Sequence, residues 1–310
     1  MEFVKEKNFV SVVVYCYNDK NNISQFILGL NKVLSDNFIK YEIIVVNDAS
    51  TDGGIDVLKD VFSDNDVVTN EKMLSVINMS YRQGLERSMN AGVELSIGDF
   101  IFEFDTMQVD YDWDNMMKVY QHSLEGYDVV SASSESKSRL ASRLYYRIFN
   151  KYAHLHNKLE TETFRILSRR AVNRIHSITN TIPYRKAAYA NCGLSIDNIK
   201  YSPTKTISSN KRDRWSVAVD SLILFTDVAF RATLALAILM ITITLGMGIF
   251  AIVYKITKAP VEGWTATISF LSLAFSGLFI ILAVIIKYLQ TIVNMLFHKN
   301  HFLFESIEKI

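Results

Sequence analysis

The 310-residue chain predicts an α/β fold, a mainly parallel sheet flanked by helices, followed by interfacial helices and a two-helix transmembrane hairpin. Three observations predict it. Runs of β-branched residues alternate with segments of helical period over roughly the first third of the chain. Acidic residues stand just after three of those runs. Beyond about residue 225, two long stretches carry no formal charge.

The first run, Phe9–Tyr15, reads as a strand buried on both faces. Asn22 then opens a helical pattern in which Ile23, Phe26, Ile27, Leu30 and Leu34 recur at spacings of three and four. Tyr41–Asn47 is the second strand, and it ends in the polar turn Asp48-Ala49-Ser50-Thr51-Asp52-Gly53-Gly54. A short helix over Ile55–Phe62, a strand over Leu74–Met79 and a helix over Leu85–Ser96 follow. Gly98-Asp99 then punctuates the chain before a fourth strand, Phe100–Phe104. Strands separated by helices imply right-handed crossovers, with ligands bound beyond the carboxyl ends of the strands. Asp19, Asp48 and Asp105 follow the first, second and fourth strands.

The stretches 232–254 and 264–286 are each about 23 residues long, enough to span roughly 30 Å of hydrocarbon. Their short connector makes them a hairpin, so both soluble ends face one side. Lys211, Arg212, Arg214 and Arg231 before the pair, and Lys287, Lys299 and Lys309 after it, outnumber Lys255 and Lys258 between. That asymmetry favours both termini inside. The expected organisation is a cytoplasmic domain over 1–210 and an amphipathic juxtamembrane helix over 211–230 that sets Trp215 at headgroup depth. The spans follow within 231–287, and a cytoplasmic tail occupies 288–310.

A net charge of +1 offers no general attraction for nucleic acid. Cys16 and Cys192 are the only cysteines, with no CxxC, so neither a disulfide framework nor a zinc site is expected. The first residues mix acid and base, and the apolar run after them is short, so no cleavable signal peptide is expected. Small residues such as Gly246 and Gly248 would permit helix association into a homo-oligomer.

Several short motifs stand in a known order. Val12–Asp19 resembles the strand and "YNE" opening of family 2 glycosyltransferases of the GT-A fold, and Val45–Asp52 is similar to their "V(D/N)DGSTD" signature. Gly84, Ser88, Gly92, Ser96, Gly98 and Asp99 follow that family's spacing into the fourth strand. Ser138–Arg147 resembles the "KRLTSKLFYR" segment of the polyprenyl-phosphate (dolichyl-phosphate) sugar transferases, and Thr163–Arg170 resembles "DFRLLSRR". Gly263-Trp264 and Lys287-Tyr288-Leu289 bracket the second span as "GW…EYL" does. The resemblance covers nearly the whole chain. It implies an inverting transfer of a sugar from a nucleotide sugar to a polyprenyl phosphate at the inner face of the cell membrane, serving cell-surface glycans.

The resemblance assigns nucleotide-sugar contacts to Tyr17, Asp19, Asn47, Asp48 and Asp105. Asp48 suits a hydrogen bond to base or ribose; it equally suits an Asx turn. Breaking the glycosidic bond leaves a diphosphate, whose growing charge a hard cation, Mg²⁺ or Mn²⁺, would stabilise. The family's Asp-x-Asp is here Asp105-Thr106-Met107, and a thioether is a poor ligand for such ions. Asp110 or Glu103 could take the second place, and Asp105 with Asp110 is the expected metal pair. Arg139, Arg143, Arg147 and Lys151 recur every four residues beside Leu140, Leu144, Ile148 and Tyr152. Adjoining basic and apolar stripes suit a helix at a bilayer surface, or a solvated basic face. By resemblance, Arg139 and Ser142 would hold the lipid phosphate, with Arg143 on the same stripe; Asp105, Arg139 and Arg165 are the candidate catalytic residues, Arg165, in a strand-like segment, meeting a donor or acceptor phosphate or else a surface ion pair. Two rival readings stay open: extension of a lipid-linked saccharide through a hydroxyl, and a non-catalytic membrane relative.

Overall fold

The computed structural model describes residues 5–63, 72–135, 140–152, 157–178, 184–205 and 304–309, with single positions between 235 and 292. The chain divides into two compact units. One comprises Met1–Asn150, Leu155–Val217 and Asn300–Ile310; the other comprises Lys151–His154 and Ala218–Lys299.

In the first unit the chain runs β1 (Val10–Cys16), α1 (Lys20–Asn37), β2 (Tyr41–Asn47), α2 (Gly54–Ser63), β3 (Lys72–Met79), α3 (Leu85–Leu95) and β4 (Phe100–Phe104). It continues as α4 (Asp114–Leu124), β5 (Val129–Ser134), α5 (Leu140–Tyr152), β6 (Phe164–Ser168), α6 (Arg169–Ile178), α7 (Arg185–Ala190), β7 (Ile196–Tyr201) and β8 (Phe304–Lys309). The eight strands form one sheet in the order β7-β5-β6-β4-β1-β2-β3-β8. Strands β4, β1, β2 and β3 are parallel neighbours. Thus the βαβ crossovers expected from the alternating pattern form the parallel heart of the sheet.

Strand side chains alternate between faces, and here each face is covered. Val12, Val14, Ile43, Val45, Phe102 and Phe104 pack with Phe26, Ile27 and Leu30 of α1 and with Met116, Val119 and Tyr120 of α4. On the other face, Val13, Ile44, Val46 and Ile101 meet Met89 and Val93 of α3 and Val172 and Ile175 of α6. Each such fully buried side chain contributes roughly 1.5–3 kcal/mol. Gly92 lets α3 approach closely: a Cβ there would lie 2.3 Å from Val13 Cγ1 and 2.7 Å from Val46 Cγ2.

Three features depart from the expected outline. β6, whose sequence reads only as strand-like, inserts antiparallel between β4 and β5. α4, β5 and β7 complete the domain without having been anticipated. Within the expected free tail, residues 304–309 form β8, which pairs antiparallel with β3 and covers what would otherwise be an open sheet edge.

The expected juxtamembrane helix over 211–230 lies outside the described residues, as do most positions of the two expected spans. Among the described residues, no helix is long and apolar enough to cross a membrane. The described positions between 235 and 292 are helical. Leu271, Phe275, Leu278, Leu282, Ile285, Leu289 and Ile292 recur at alternating spacings of four and three, and all are exposed. Within the same unit Gly277 meets Met240 so closely that a Cβ would lie 2.4 Å from its Cε.

Candidate active site at the carboxyl ends of β1, β2 and β4

The register aligns Cys16 with Asn47 and Val14 with Phe104. Asp19, Asp48 and Asp105 therefore follow three adjacent parallel strands at the same edge of the sheet. The topology brings together the three acids that the strand pattern singled out.

The β1 and β2 ends form an interlocked pair of turns. Asn18 and Ala49 both hold positive φ, 52° and 55°, a conformation that costs most non-glycine residues energy and persists where surrounding bonds enforce it. Here they do. The Asn18 amide donates to Ser50 Oγ at 3.1 Å, and the Thr51 amide donates to Asn18 Oδ1 at 2.9 Å. Asp52 caps α1 and α2 together, accepting from the Lys20 amide at 2.8 Å and the Gly54 amide at 3.0 Å. Asn47 accepts from the Ser50 amide and donates to Asn78 Oδ1 at 2.9 Å.

Asp48 is wholly buried. It accepts from the Tyr15 hydroxyl at 2.9 Å and from the Gln83 and Gly84 amides at 2.6 and 2.9 Å. Its carboxylate braces the turn into α3, which is more than the Asx turn or the ligand contact considered from the motif. Asp19 is half-buried; burial pushes its carboxyl up, partly offset by a hydrogen bond from Asn22. The Tyr17 ring lies at this rim with the Arg82 guanidinium over it, 4.2 Å from its centroid.

The β4 end is built from ions. Arg165 and Arg185 are each 1% exposed, a burial that guanidinium groups tolerate only when paired. Arg165 reaches Glu103, Asp105 Oδ2 at 3.1 Å and Glu162 at 2.7 Å. Arg185 reaches Glu86 at 3.1 Å, Glu103 at 2.9 Å and Asp105 Oδ1 at 2.7 Å. The Tyr189 hydroxyl donates to Glu103 Oε1 at 2.6 Å. Asp105 stands at the outer side of this cluster, 19% exposed. Burial alone would raise its carboxyl, but Arg165 and Arg185, with Lys186 adding, hold it well below the usual carboxylate range.

Of the expected metal pair, Asp105 is placed to meet a ligand. Asp110 accepts the Tyr201 hydroxyl at 2.6 Å, and Met107, 2% exposed, belongs to the apolar core. Among the described residues no three His, Cys, Asp or Glu side chains are gathered as a ligand set. Of the expected pair, only Asp105 would be left as a protein ligand for a divalent cation, whose remaining oxygen donors would have to come from outside these residues.

Of the expected acceptor residues, Arg139 lies outside the described residues. Ser142 is half-buried on α5, while Arg143, Arg147 and Lys151 are exposed along it, as is Leu144. The helix is seated by a face that the stripe pattern did not reveal: Phe149 is buried, its ring 5.5 Å from Tyr145 and 6.2 Å from Tyr184.

Arg185, Tyr189, Glu86 and Arg82 were not singled out from the sequence. Arg185 sits in Tyr-Arg-Lys-Ala-Ala-Tyr-Ala, which reads as an ordinary surface helix. A usable signal was the acid count around Asp105, since buried carboxylates require basic partners.

The profile of the family described as Glycosyl transferase family 2 matches residues 11–176. An uncharacterized glycosyltransferase of Synechocystis is 23% identical over 258 residues, covering 80% of this chain and 79% of the relative. A bactoprenol glucosyl transferase of Shigella phage SfV is 21% identical over 284 residues, covering 86% and 88%. Among solved structures, the mannosyltransferase PcManGT of Pyrobaculum calidifontis, in complex with GDP-Man and Mn²⁺, superposes with a TM-score of 0.51. Its identity is 14%, over 70% of this chain and 63% of that one; the likeness is one of fold.

Proposed function

We propose, from the premise that this chain belongs to glycosyl transferase family 2, that it moves a sugar from a nucleotide sugar to a polyprenyl phosphate at the cytoplasmic face of a cell membrane. The observation that carries the reading is the set of carboxylates following three adjacent parallel strands, with Asp105 at the open side of a charged cluster. The relatives named bactoprenol glucosyl transferases, aligned over most of this chain, support the acceptor class.

In this reading the turns after β1 and β2, with Tyr17 at the rim, receive the nucleotide, and Asp105 faces the diphosphate. A lipid phosphate oxygen forms the new bond to the anomeric carbon as the bond to the nucleoside diphosphate breaks. That oxygen is already ionised at neutral pH, so the acceptor gives up no proton and no side chain need act as a base. The protein's contribution is placement and charge. A divalent cation bound at Asp105 would supply Lewis-acid neutralisation of the departing diphosphate. The exposed basic row Arg143, Arg147 and Lys151, beside Leu144, suits an anionic lipid headgroup.

Membrane attachment through 232–254 and 264–286 belongs to the same proposal. The exposed apolar row from Leu271 to Ile292 is what lipid-facing positions require. Close approach at Gly277 is typical of helices packed in lipid.

The test is incubation of membranes holding the full chain with labelled nucleotide sugars and polyprenyl phosphate. Lipid-extractable label that depends on the added phosphate is the expected result. Label appearing only on lipid-linked saccharides would replace this reading with a hydroxyl acceptor. No transfer from any donor would leave a non-catalytic relative.

A further inference from the structure

We infer that His122, held by a carboxylate at each of its ring nitrogens, is a proton-dependent clasp that fastens the edge strand β7 to α4, so that the hold on β7, and on the loop after β4 that β7 supports, weakens as the medium turns alkaline. The clasp itself needs no nucleotide sugar; only its effect on turnover rests on the proposed function.

β7 is the last strand on its side of the sheet and pairs with β5 alone. His122 reaches it from α4. The ring Nε2 lies 2.7 Å from Asp197 Oδ2 of β7, and Nδ1 lies 2.9 Å from Glu125 Oε2 just past the helix. Tyr127 stacks on the imidazole, ring centroids 4.6 Å apart. A neutral imidazole carries one N–H, so one of its nitrogens would turn a lone pair toward a carboxylate oxygen. The imidazolium donates from both nitrogens and satisfies both acids. His122 also stands in the last turn of α4, where the negative end of the helix dipole favours a cation. The bond to Asp197, with Glu125 adding, raises the imidazole above its ordinary value, and His122 in turn holds the Asp197 carboxyl below its own.

The other charged groups on the neighbouring elements are engaged elsewhere. Asp128, just before β5, meets Ser168, Arg170 and Ser195. Lys118, one turn earlier on α4, donates to Asn115 Oδ1 at 3.4 Å, and Arg165 of β6 is held by Glu103, Asp105 and Glu162. The proton on His122 therefore decides the charge of this contact. Asp197 Oδ1 accepts the Asn198 amide at 2.8 Å, so the carboxylate that holds the imidazole is tied to the strand's own backbone. At the far end of β7, the Tyr201 hydroxyl donates to Asp110 Oδ1 at 2.6 Å, and the Thr204 amide donates to the Asp110 carbonyl at 2.7 Å. The strand thus runs from the clasp to the loop that begins at Asp105. Because the folded imidazole is held above its unfolded value of about 6.5, its contribution is complete below that value and is lost as pH rises through the folded one. Beyond it, Asp197 and Glu125 are left with a single N–H between them.

The experiment uses the full chain in detergent micelles, with ring-labelled histidine followed by nuclear magnetic resonance. His122→Gln identifies the His122 signal among the six histidines. Its midpoint should lie above the ordinary value, fall toward it in Asp197→Asn, and fall by less in Glu125→Gln. Hydrogen exchange over 196–201, corrected for the intrinsic effect of pH, should lose protection about two- to fivefold between about pH 5.5 and pH 9, the range of a partly exposed ion pair. In His122→Gln that loss should vanish, and β2, an inner strand, should show none in either protein. In the labelled-sugar assay the parent's kcat should fall across the same window and His122→Gln should remove the fall. A His122 midpoint at or below the ordinary value overturns the inference, as does β7 protection that ignores pH in the parent. A turnover that ignores pH while the midpoint and exchange behave as expected overturns the link from β7 to the loop. Absence of sugar transfer at every pH, with the exchange result intact, counts against the proposed function and not against the clasp, which distinguishes the two failures.

Discussion

The two halves of the candidate site solve the same problem with different materials. At the ends of β1 and β2, short polar side chains satisfy backbone amides a few residues or one neighbouring turn away; Asn18, Ser50 and Asp52 make such bonds. At the end of β4, the long charged side chains of Glu103, Asp105, Arg165 and Arg185 come from three separate elements and are buried together. Loss of one hydrogen bond in the first region removes about 1 kcal/mol, because water can replace the missing partner. Loss of one ion in the second strands several buried charges at once. The difference teaches that the first region is robust and the second brittle, although both stand at the carboxyl ends of adjacent strands.

The sharpest way to break that contrast is to remove a buried cation. Arg165→Met, which leaves Glu162 without its guanidinium and Glu103 and Asp105 with Arg185 alone, should lower unfolding free energy by about 3–5 kcal/mol, measured by chemical denaturation. A loss below 1 kcal/mol would show that the second region is no more brittle than the first.

Next in size is a change that strikes both regions through α3, which carries Glu86 to Arg185 and follows the turn that Asp48 braces. Gly92→Ala places a methyl group into Val13 and Val46 and should cost about 1–3 kcal/mol. Transfer rate and donor affinity should fall together, because both ends of the site shift. A smaller effect belongs to the turns alone: Asp52→Ala, which uncaps α1 and α2, should cost about 1 kcal/mol and raise KM for the donor more than it lowers kcat.

Acid titration sharpens the comparison without mutation. The folded Asp105 carboxyl is held below its unfolded value, so its contribution to stability is complete above the unfolded pKa of about 3.9 and is lost as pH falls through the folded value. The parent protein should therefore show a steeper loss of stability below about pH 4 than Arg165→Met, in which that depression is reduced. The least effect on folding is expected at α5. Arg143→Gln and Arg147→Gln lie on its exposed row and should alter stability by less than about 0.5 kcal/mol, while weakening sedimentation with anionic vesicles.

Much of this architecture was legible because its causes are local. The strands β1 to β4 and the helices α1 to α3 follow from side-chain periods of two and of 3.6, which any short window of sequence contains. The Asn-Asp-Ala-Ser-Thr-Asp turn announces itself through residues that bond to their own backbone. By contrast, nothing within Tyr-Arg-Lys-Ala-Ala-Tyr-Ala marks Arg185 for burial. Its fate depends on Glu86, Glu103 and Asp105, 99, 82 and 80 positions away. The seating of α5 through Phe149 was hidden likewise, because a basic stripe and an aromatic one compete on the same helix.

By itself, then, the amino-acid order determined the alternating elements, the edge at which three aspartates gather, and the long uncharged stretches near the end, since each depends on neighbours in the chain. Tertiary structure alone decided that β6 enters antiparallel beside β4, that β8 returns to close the far edge, and that two arginines turn inward against Asp105. Those outcomes rest on pairing between residues remote in sequence, where the loss of hydration of one ion is compensated only when its partner arrives from another element.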